Sequence, residues 1–215
     1  MQIKRACLWL MTVLLLASVS VWSADAKSPK DAITLESLKN REGEVESLVE
    51  KLLPCTVCVQ SANGQGSGSG VVVNETGLIL TAAHVMQAAG EELTVLFPNG
   101  RSVKAKPLGA NRFRDAGMVQ ILDEGEYEFA EVGKSASLET NQWCVSMGHA
   151  GGFDPRRTPP VRLGRILNSG RFLMTDAALI GGDSGGPLFD LDGRLIGIHS
   201  NIGMSLSQNN HVPID

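Results

Sequence analysis

Residues 181–187 read Gly-Gly-Asp-Ser-Gly-Gly-Pro, a serine set among four glycines near the end of a 215-residue chain. Glycine takes backbone conformations that other residues avoid, and it leaves room for a substrate carbonyl beside the serine hydroxyl. In such a turn, the amides of Gly182 and Ser184 can point at one spot and stabilise a developing oxyanion. The stretch therefore predicts that Ser184 is a nucleophile and that these two amides form an oxyanion hole.

A serine hydroxyl is a weak nucleophile unless a base activates it and a third group orients that base. His84 follows Thr-Ala-Ala, and Asp115 opens an apolar, strand-like stretch, so the chain offers both groups upstream of Ser184. We expect His84 to accept the serine proton and later to give it to the leaving amine. We expect Asp115 to hold the tautomer of His84; the alternative for Asp115 is an ordinary acid at the edge of a strand.

The order His, Asp, Ser within these motifs resembles the chymotrypsin-like serine peptidases, and more closely their HtrA/Deg branch. The resemblance covers about Leu53 to Asp215, and we expect no PDZ domain after it. Asp183 stands where HtrA members usually carry asparagine. The sequence has no activation site like that of the trypsin zymogens, so we expect other donors to hold its carboxylate. Further motifs of the branch are Gly68-Ser69-Gly70-Val71, Gly77-Leu78-Ile79-Leu80-Thr81 and Thr175-Asp176-Ala177-Ala178.

This resemblance implies an all-β fold of two six-stranded antiparallel β-barrels with the active site between them. The first barrel is expected at about 54–125 and the second at about 130–215. The family places the base of its primary pocket at Ala178, facing a wall of Ile198, His199 and Ser200. Since Ala178 has no charge to pair with arginine or lysine, we expect cleavage after small or medium apolar residues.

Composition supports a β-rich globular protein and gives no support for nucleic-acid binding. Hydrophobic residues make up 43% of the chain, and 24 glycines favour many turns over a helical bundle. The formal net charge is −4 without a long basic run, so nucleic-acid binding has no electrostatic support. No cofactor is implied. No second Cys-x-x-Cys or histidine pair completes a zinc site, so we expect no metal.

The N-terminus is typical of an export signal over residues 1–26. Lys4 and Arg5 precede an apolar stretch, Ala6 to Val21, and Ala24-Asp25-Ala26 fits a small-x-small cleavage pattern. We expect a periplasmic or secreted protein with no stable membrane association after cleavage. The alternative is an uncleaved anchor, although the apolar stretch is shorter than the roughly 20 residues of a full span.

Residues 27–53 are expected to contain a loosely ordered polar segment, up to Asn40, and then a short amphipathic helix. From Glu44 to Leu53, apolar residues recur at helical spacing, and Pro54 marks the end. The helix could be a strut on the barrel, which we favour, or a contact in a homo-oligomer. The apolar positions are Val45, Leu48, Val49 and Leu52.

Three cysteines follow the predicted signal: Cys55, Cys58 and Cys144. A strand predicted from Cys55 to Gln60 would turn Cys55 and Cys58 to opposite faces, so a disulfide between them is disfavoured. We expect three buried thiols. Of the histidines outside the Thr-Ala-Ala-His motif, His149 and His199 are expected to line a cleft or the surface.

Together these features predict an exported serine endopeptidase that cleaves proteins or peptides. One alternative is a silent scaffold of the same fold that binds peptides without cutting them. Another is an esterase, because the same machinery hydrolyses esters. An α/β-hydrolase would carry its nucleophile before the acid and the histidine, which is the reverse of the order here.

Overall fold

The structure, a computed structural model, describes residues 34–61, 66–86, 92–203, 205 and 208–215. The predicted signal at 1–26 lies outside these ranges. The chain divides into two compact units, Met1–Leu38 and Lys39–Asp215, and the second holds both barrels. Across the described residues, none of the helical segments combines the length and apolar character needed to span a membrane.

Among the described residues, one α-helix, α1, covers Leu35–Leu52 and is followed by a 3₁₀ turn at Leu53–Cys55. The helix begins earlier than the apolar spacing predicted, within the segment expected to be loosely ordered. Thr34 Oγ1 accepts the N–H of Ser37 at 3.0 Å, and Ser37 Oγ accepts the N–H of Thr34 at 2.9 Å. This reciprocal cap satisfies backbone donors that a helix start leaves free, which explains the earlier beginning.

The C-terminal half of α1 packs on the barrel core, as expected of a strut. Leu52 is fully buried, and Val45, Leu48 and Val49 lie against the main core cluster. These are the apolar positions read from the sequence, so the predicted face of the helix is confirmed. The face stabilises the helix because burial of apolar side chains supplies most of a short helix's stability.

The first barrel closes in the order β1-β2-β3-β6-β5-β4, with antiparallel neighbours. In β4, Leu93 and Val95 are buried and alternate with partly exposed residues, the period-two pattern of a strand with one face in a core. A tight turn joins β4 to β5, where Phe97 N–H donates to Arg101 at 2.8 Å. The strands are β1 Thr56–Ser61, β2 Ser67–Val72, β3 Leu78–Thr81, β4 Leu93–Leu96, β5 Ser102–Asn111 and β6 Ala116–Ile121.

The second barrel closes in the order β10-β11-β12-β9-β8-β7, again antiparallel. The predicted hairpin after Ser184 is confirmed as β10 and β11. The two six-stranded barrels and the N-terminal helix together confirm the predicted fold class. The strands are β7 Trp143–Met147, β8 Val161–Ser169, β9 Leu173–Thr175, β10 Pro187–Asp190, β11 Leu195–Ile202 and β12 Asn209–Pro213.

Cys55, Cys58 and Cys144 are free and buried, which confirms the prediction of three buried thiols. Burial raises the pKa of Cys55 and Cys144 to about 12 and that of Cys58 to about 11, so all three stay protonated at neutral pH. Cys55 lies in the 3₁₀ turn, not in the first strand, since the backbone N–H of Thr56 donates to Leu53 O and closes that turn. Within the described ranges, no three His, Cys, Asp or Glu side chains cluster as a metal site.

Candidate active site

His84 and Asp115 come together at the end of the first barrel. His84 lies three residues beyond β3, and Asp115 directly precedes β6, the neighbour of β3 in the barrel. His84 Nδ1 lies 2.9 Å from Asp115 Oδ1 and 3.0 Å from Oδ2. Because an ionised carboxylate only accepts hydrogen bonds, Nδ1 carries the proton and Nε2 is left as the basic nitrogen.

The backbone of Asp115 strengthens this arrangement. Its carbonyl accepts the N–H of Ala83 at 3.2 Å, and Oδ1 also accepts the N–H of His84 at 3.1 Å. Asp115 has a φ of +58°, in the left-handed region that aspartate tolerates better than most residues. The residue therefore binds both the backbone and the ring of the histidine segment.

The two groups shift each other's pKa in opposite directions. The hydrogen bond to Asp115 raises the pKa of His84 above its ordinary value, against the opposing effect of burial. Burial alone would raise the pKa of Asp115, but hydrogen bonds from His84 and Ser200 lower it below its ordinary value. At neutral pH the carboxylate is ionised, so it favours the protonated imidazole that forms when His84 acts as a base.

Ser200 makes a hydrogen bond to Asp115 that the sequence did not indicate. Its hydroxyl donates to Asp115 Oδ2 at 2.5 Å, so the carboxylate is held by a second side chain besides His84. Asn201 Nδ2 in turn donates to Ser200 Oγ at 3.0 Å. The family resemblance implies a place for Ser200 in the wall of the primary pocket. No local pattern could reveal its contact, since β11 reaches Asp115 only when the two barrels meet.

Ser184 lies in the loop before β10, held by strands of both barrels. Its carbonyl accepts the N–H of Ser69 at 2.7 Å, and its hydroxyl donates to Ser200 O at a long 3.4 Å. Gly185 follows with a φ of +85°, and a Cβ there would press on Ser69 O and Thr81 Oγ1. Only glycine fits that position, which is why the residue after Ser184 has no side chain.

The amides of Gly182 and Ser184 donate to no other described residue. Gly181 O, in the peptide that carries the Gly182 amide, accepts the N–H of Gly151 at 2.7 Å. Because the N–H and C=O of a trans peptide point in opposite directions, this contact turns the Gly182 amide away from Gly151. Gly182 has a φ of +97°, and a Cβ there would lie 2.5 Å from His149 O.

Asp183, between these amides, has the donors that we expected from the rest of the chain. Its carboxylate is fully buried and accepts the N–H of Ile180 at 2.9 Å. Arg162 Nη2 lies 3.0 Å from Oδ2. The expectation that other groups of the chain satisfy this acid is confirmed, and the side chain responsible is an arginine on β8.

The predicted pocket residues lie in different surroundings. Ala178 is partly exposed, whereas Ile198 is buried in the core cluster. His199 is 0% exposed, and its Nε2 lies 2.9 Å from Ser146 Oγ, so its ring fills the second barrel and faces no cleft. His149 is also buried. The expectation that these two histidines line a cleft or the surface is wrong: His199 lies within Leu195–Ser200, the stretch of β11 whose residues are all buried, and His149 Nε2 lies 3.3 Å from Thr56 O.

Comparison with known proteins identifies the same type of domain. Residues 68–198 match the family described as Trypsin-like peptidase domain. A DegP-like periplasmic serine endoprotease of Halomonas elongata is 36% identical over 140 residues, which are 63% of this chain and 29% of that protein. The serine protease HhoA of Synechocystis is 33% identical over 151 residues, 64% of this chain and 37% of that protein. The chain thus spans about a third of the length of these relatives.

The matched stretch covers more than half of the chain and includes His84, Asp115 and Ser184. The two barrels observed here are the architecture that the resemblance implied. The chain belongs to the trypsin-like peptidase domain family, in the HtrA/Deg branch.

Proposed function

We propose that this protein is a serine endopeptidase that cleaves peptide bonds of protein substrates through His84, Asp115 and Ser184. The observation that carries the proposal is the position of His84 Nδ1, 2.9 and 3.0 Å from the two carboxylate oxygens of Asp115. This contact leaves Nε2 unprotonated and able to take a proton, as a general base requires. The names of the related proteases and the family match support the same activity.

In the first half of the reaction, Ser184 Oγ attacks the substrate carbonyl carbon while its proton passes to His84 Nε2. The carbonyl oxygen becomes an oxyanion, for which the amides of Gly182 and Ser184 are available donors. Asp115 stabilises the imidazolium that has formed. His84 Nε2 then gives the proton to the leaving amine, the C–N bond breaks, and the acyl group remains on Ser184 as an ester.

In the second half, a water molecule attacks the ester carbonyl and passes a proton to His84 Nε2. The same two amides receive the second oxyanion. As the C–O bond to Ser184 breaks, the proton moves from His84 to Ser184 Oγ, which regenerates the hydroxyl and releases a carboxylic acid. Each half therefore uses His84 once as a base and once as an acid.

The substrate preference follows from Ala178, which brings no charge to the predicted pocket base. We propose cleavage after small or medium apolar residues. His199 contributes no side chain to this pocket because its ring is buried, so the wall that the resemblance implies has one polar side chain fewer. Ser200, which binds Asp115, is better assigned to orienting the carboxylate than to binding substrate.

We also propose that the protein is exported to the periplasm or beyond, with the signal removed after residue 26. The basic, apolar and small-residue pattern of residues 1–26 supports export. The names of the DegP-like relatives of Halomonas elongata and Hahella chejuensis describe periplasmic proteases, which agrees with that pattern.

The test is hydrolysis of unfolded casein by the protein lacking residues 1–26, with Ser184→Ala beside it and Ser67→Ala as a control. Ser67 is exposed on β2, so its hydroxyl is expected to be dispensable. Mass spectrometry of the products identifies the cut sites. Cutting after small apolar residues by the wild type and the control, but not by Ser184→Ala, supports the proposal.

A folded wild type that neither cuts casein nor reacts with a fluorophosphonate would contradict the proposal and favour a peptide-binding scaffold. Fluorophosphonate labelling of the wild type without casein cleavage would show an activated serine. In that case Ser184 remains the assigned nucleophile, and casein is not a substrate.

A further inference from the structure

The carboxylate of Asp183 is placed at the centre of the proposed oxyanion-binding turn. Asp183 lies between Gly182 and Ser184, whose amides are the candidate donors, and its side chain is 0% exposed. Burial raises the pKa of this acid. A buried charge without a partner is costly, so the groups around Asp183 decide whether this turn keeps its shape.

The carboxylate closes the turn from inside. Oδ2 accepts the N–H of Ile180 at 2.9 Å, and the N–H of Asp183 donates to Ile180 O at 3.1 Å. Gly182 is one of the two residues enclosed by this double contact. A change in the position or charge of the Asp183 carboxylate would therefore move the peptide that carries the Gly182 amide.

Arg162 holds the carboxylate in place. It is the second residue of β8, and its Nη2 lies 3.0 Å from Oδ2 while Nη1 donates to Oδ1 at 3.3 Å. The two nitrogens of the planar guanidinium thus meet the two oxygens of the carboxylate, a geometry that lysine cannot reproduce. The side chain of Arg162 is 20% exposed, so this ion pair is largely shielded from water.

Other charged groups nearby contribute less. Arg157, in the loop before β8, attracts the Asp183 carboxylate from a longer distance. The N–H of Ile180 also donates to this carboxylate but carries no charge. On β11, His199 feels the positive charge of Arg162 but is kept neutral by burial, the larger cause of its lowered pKa. Among the charged side chains that the structure describes, Arg162 is the one that neutralises Asp183 by direct contact.

We propose that Arg162 is a positioning residue for catalysis, which orders the oxyanion-binding turn by pairing with Asp183. The proposal rests on the proposed function, since it concerns the turn around Ser184. It assigns Arg162 no contact with the substrate. In this view the turn is ready for catalysis without cleavage at an activation site of the zymogen type, because its buried acid is neutralised by an arginine of the same chain.

The test is a double-mutant cycle of Arg162→Met, Asp183→Asn and the two together, with kcat and KM measured separately on a peptide substrate. For Arg162→Met we expect a loss of kcat of about 10²- to 10³-fold, the effect of removing one oxyanion donor. KM should change much less, because the turn acts on the transition state. Arg165→Met is the matched control, since Arg165 lies on the same strand and stacks on Trp143 at 3.5 Å.

The Asp183→Asn background separates pairing from simple packing. An asparagine oxygen can still accept the N–H of Ile180 but needs no counter-charge. In that background we expect Arg162→Met to lower kcat by less than about tenfold, a strong coupling between the two sites. Arg162→Lys should recover part of the lost kcat, because it restores the charge but not the second contact.

Amide ¹⁵N–¹H spectra supply a readout that does not need turnover. We expect the Gly182 amide signal to shift in Arg162→Met and to stay in place in Arg165→Met. A kcat of Arg162→Met equal to that of the Arg165→Met control would overturn the proposal. The proposal would also be overturned if Arg162→Met lowered kcat by the same factor in the wild type and in the Asp183→Asn background. If the wild type does not hydrolyse peptides, the proposed function fails, and the Gly182 signal alone decides whether Arg162 orders the turn.

Discussion

Ser69 donates its backbone N–H to the carbonyl oxygen of Ser184 at 2.7 Å, across the boundary between the two barrels. The hydroxyl of Ser69 donates to Gly182 O at 2.7 Å and accepts the N–H of His149 at 2.8 Å. A buried residue of β2 therefore holds both the nucleophile's segment and the oxyanion-binding turn. The first barrel supplies more to this site than His84 and Asp115.

Replacement of Ser69 by alanine should weaken both the fold and the activity. The change leaves Gly182 O and the N–H of His149 without their buried partner, and each such loss costs about 1–3 kcal/mol. We expect the free energy of unfolding in urea to fall by about 2 kcal/mol or more, and kcat to fall in the protein that remains folded. Ser67→Ala, two residues away and exposed, should change neither; equal effects of the two variants would contradict this role.

Replacement of Asp115 by asparagine should abolish most activity without unfolding the protein. The amide can donate to Nδ1 and so favour the wrong tautomer of His84, an effect worth about 10⁴ in kcat in enzymes with this triad. The measurement is kcat on a peptide substrate together with the unfolding midpoint. A loss of less than tenfold would mean that Asp115 does not orient the catalytic base.

The backbone conformation of Asp115 predicts that Asp115→Ala is less stable than Asp115→Asn. With a φ of +58°, this position suits asparagine almost as well as aspartate, whereas alanine would be strained by about 1–2 kcal/mol. We therefore expect Asp115→Ala to unfold at lower urea concentration than Asp115→Asn. Similar midpoints for the two variants would show that the left-handed conformation carries no such strain in the folded protein.

The rate should depend on pH through His84. A general base must be neutral, and the hydrogen bond to Asp115 raises the pKa of His84, so kcat/KM should fall as pH drops through a value above the ordinary 6.5 or so of histidine. The other histidines interfere little: burial lowers the pKa of His149 to about 4 and that of His211 to about 3, and that of His199 also lies below its usual range.

The check is a pH–rate profile for the wild type and for Asp115→Asn. The variant lacks the group that raises the pKa of His84, so its residual activity should decline at a lower pH. An acid limb that stays at the same pH in the variant would show that another group controls the rate.

Stability should fall in acid because of the buried histidines. The pKa of His149 is lowered in the fold, so below about pH 6.5 the unfolded chain binds protons that folded His149 does not. Its share of the free energy of unfolding is therefore lost as pH falls from about 6.5 to about 4, by roughly 3 kcal/mol at 1.36 kcal/mol per pKa unit. Urea unfolding at pH 7 and at pH 4 measures this loss, which His149→Gln should reduce.

His84 provides the control of opposite sign. Its pKa is raised in the fold, so it contributes stability below its unfolded pKa that is lost as pH rises through the folded one. His84→Gln should therefore make the acid-induced loss larger, where His149→Gln makes it smaller. Changes in the same direction for both variants would contradict the assignment of the two environments.

Local patterns predicted most of the strands, because the alternation along a strand and the turn of a hairpin both depend on residues close together in the sequence. The alternation in β4 and the hairpin after Ser184 could both be read from short stretches. The start of α1 could not be found from apolar spacing, since the cap between Thr34 and Ser37 depends on polar side chains outside the periodic segment. The buried position of His199 was not predicted, because whether a side chain of a strand points into the barrel depends on how that strand lies in the closed sheet.

Short motifs of the sequence were enough to predict the order of His84, Asp115 and Ser184 and the glycines that their turns require, and the family resemblance of those motifs implied the fold class. Tertiary structure alone decided the partners of those motifs. Ser200 on Asp115, Ser69 on Ser184 and Arg162 on Asp183 are contacts between strands or loops distant along the chain. Their distances depend on the closure of two barrels against each other, which no local spacing of residues encodes.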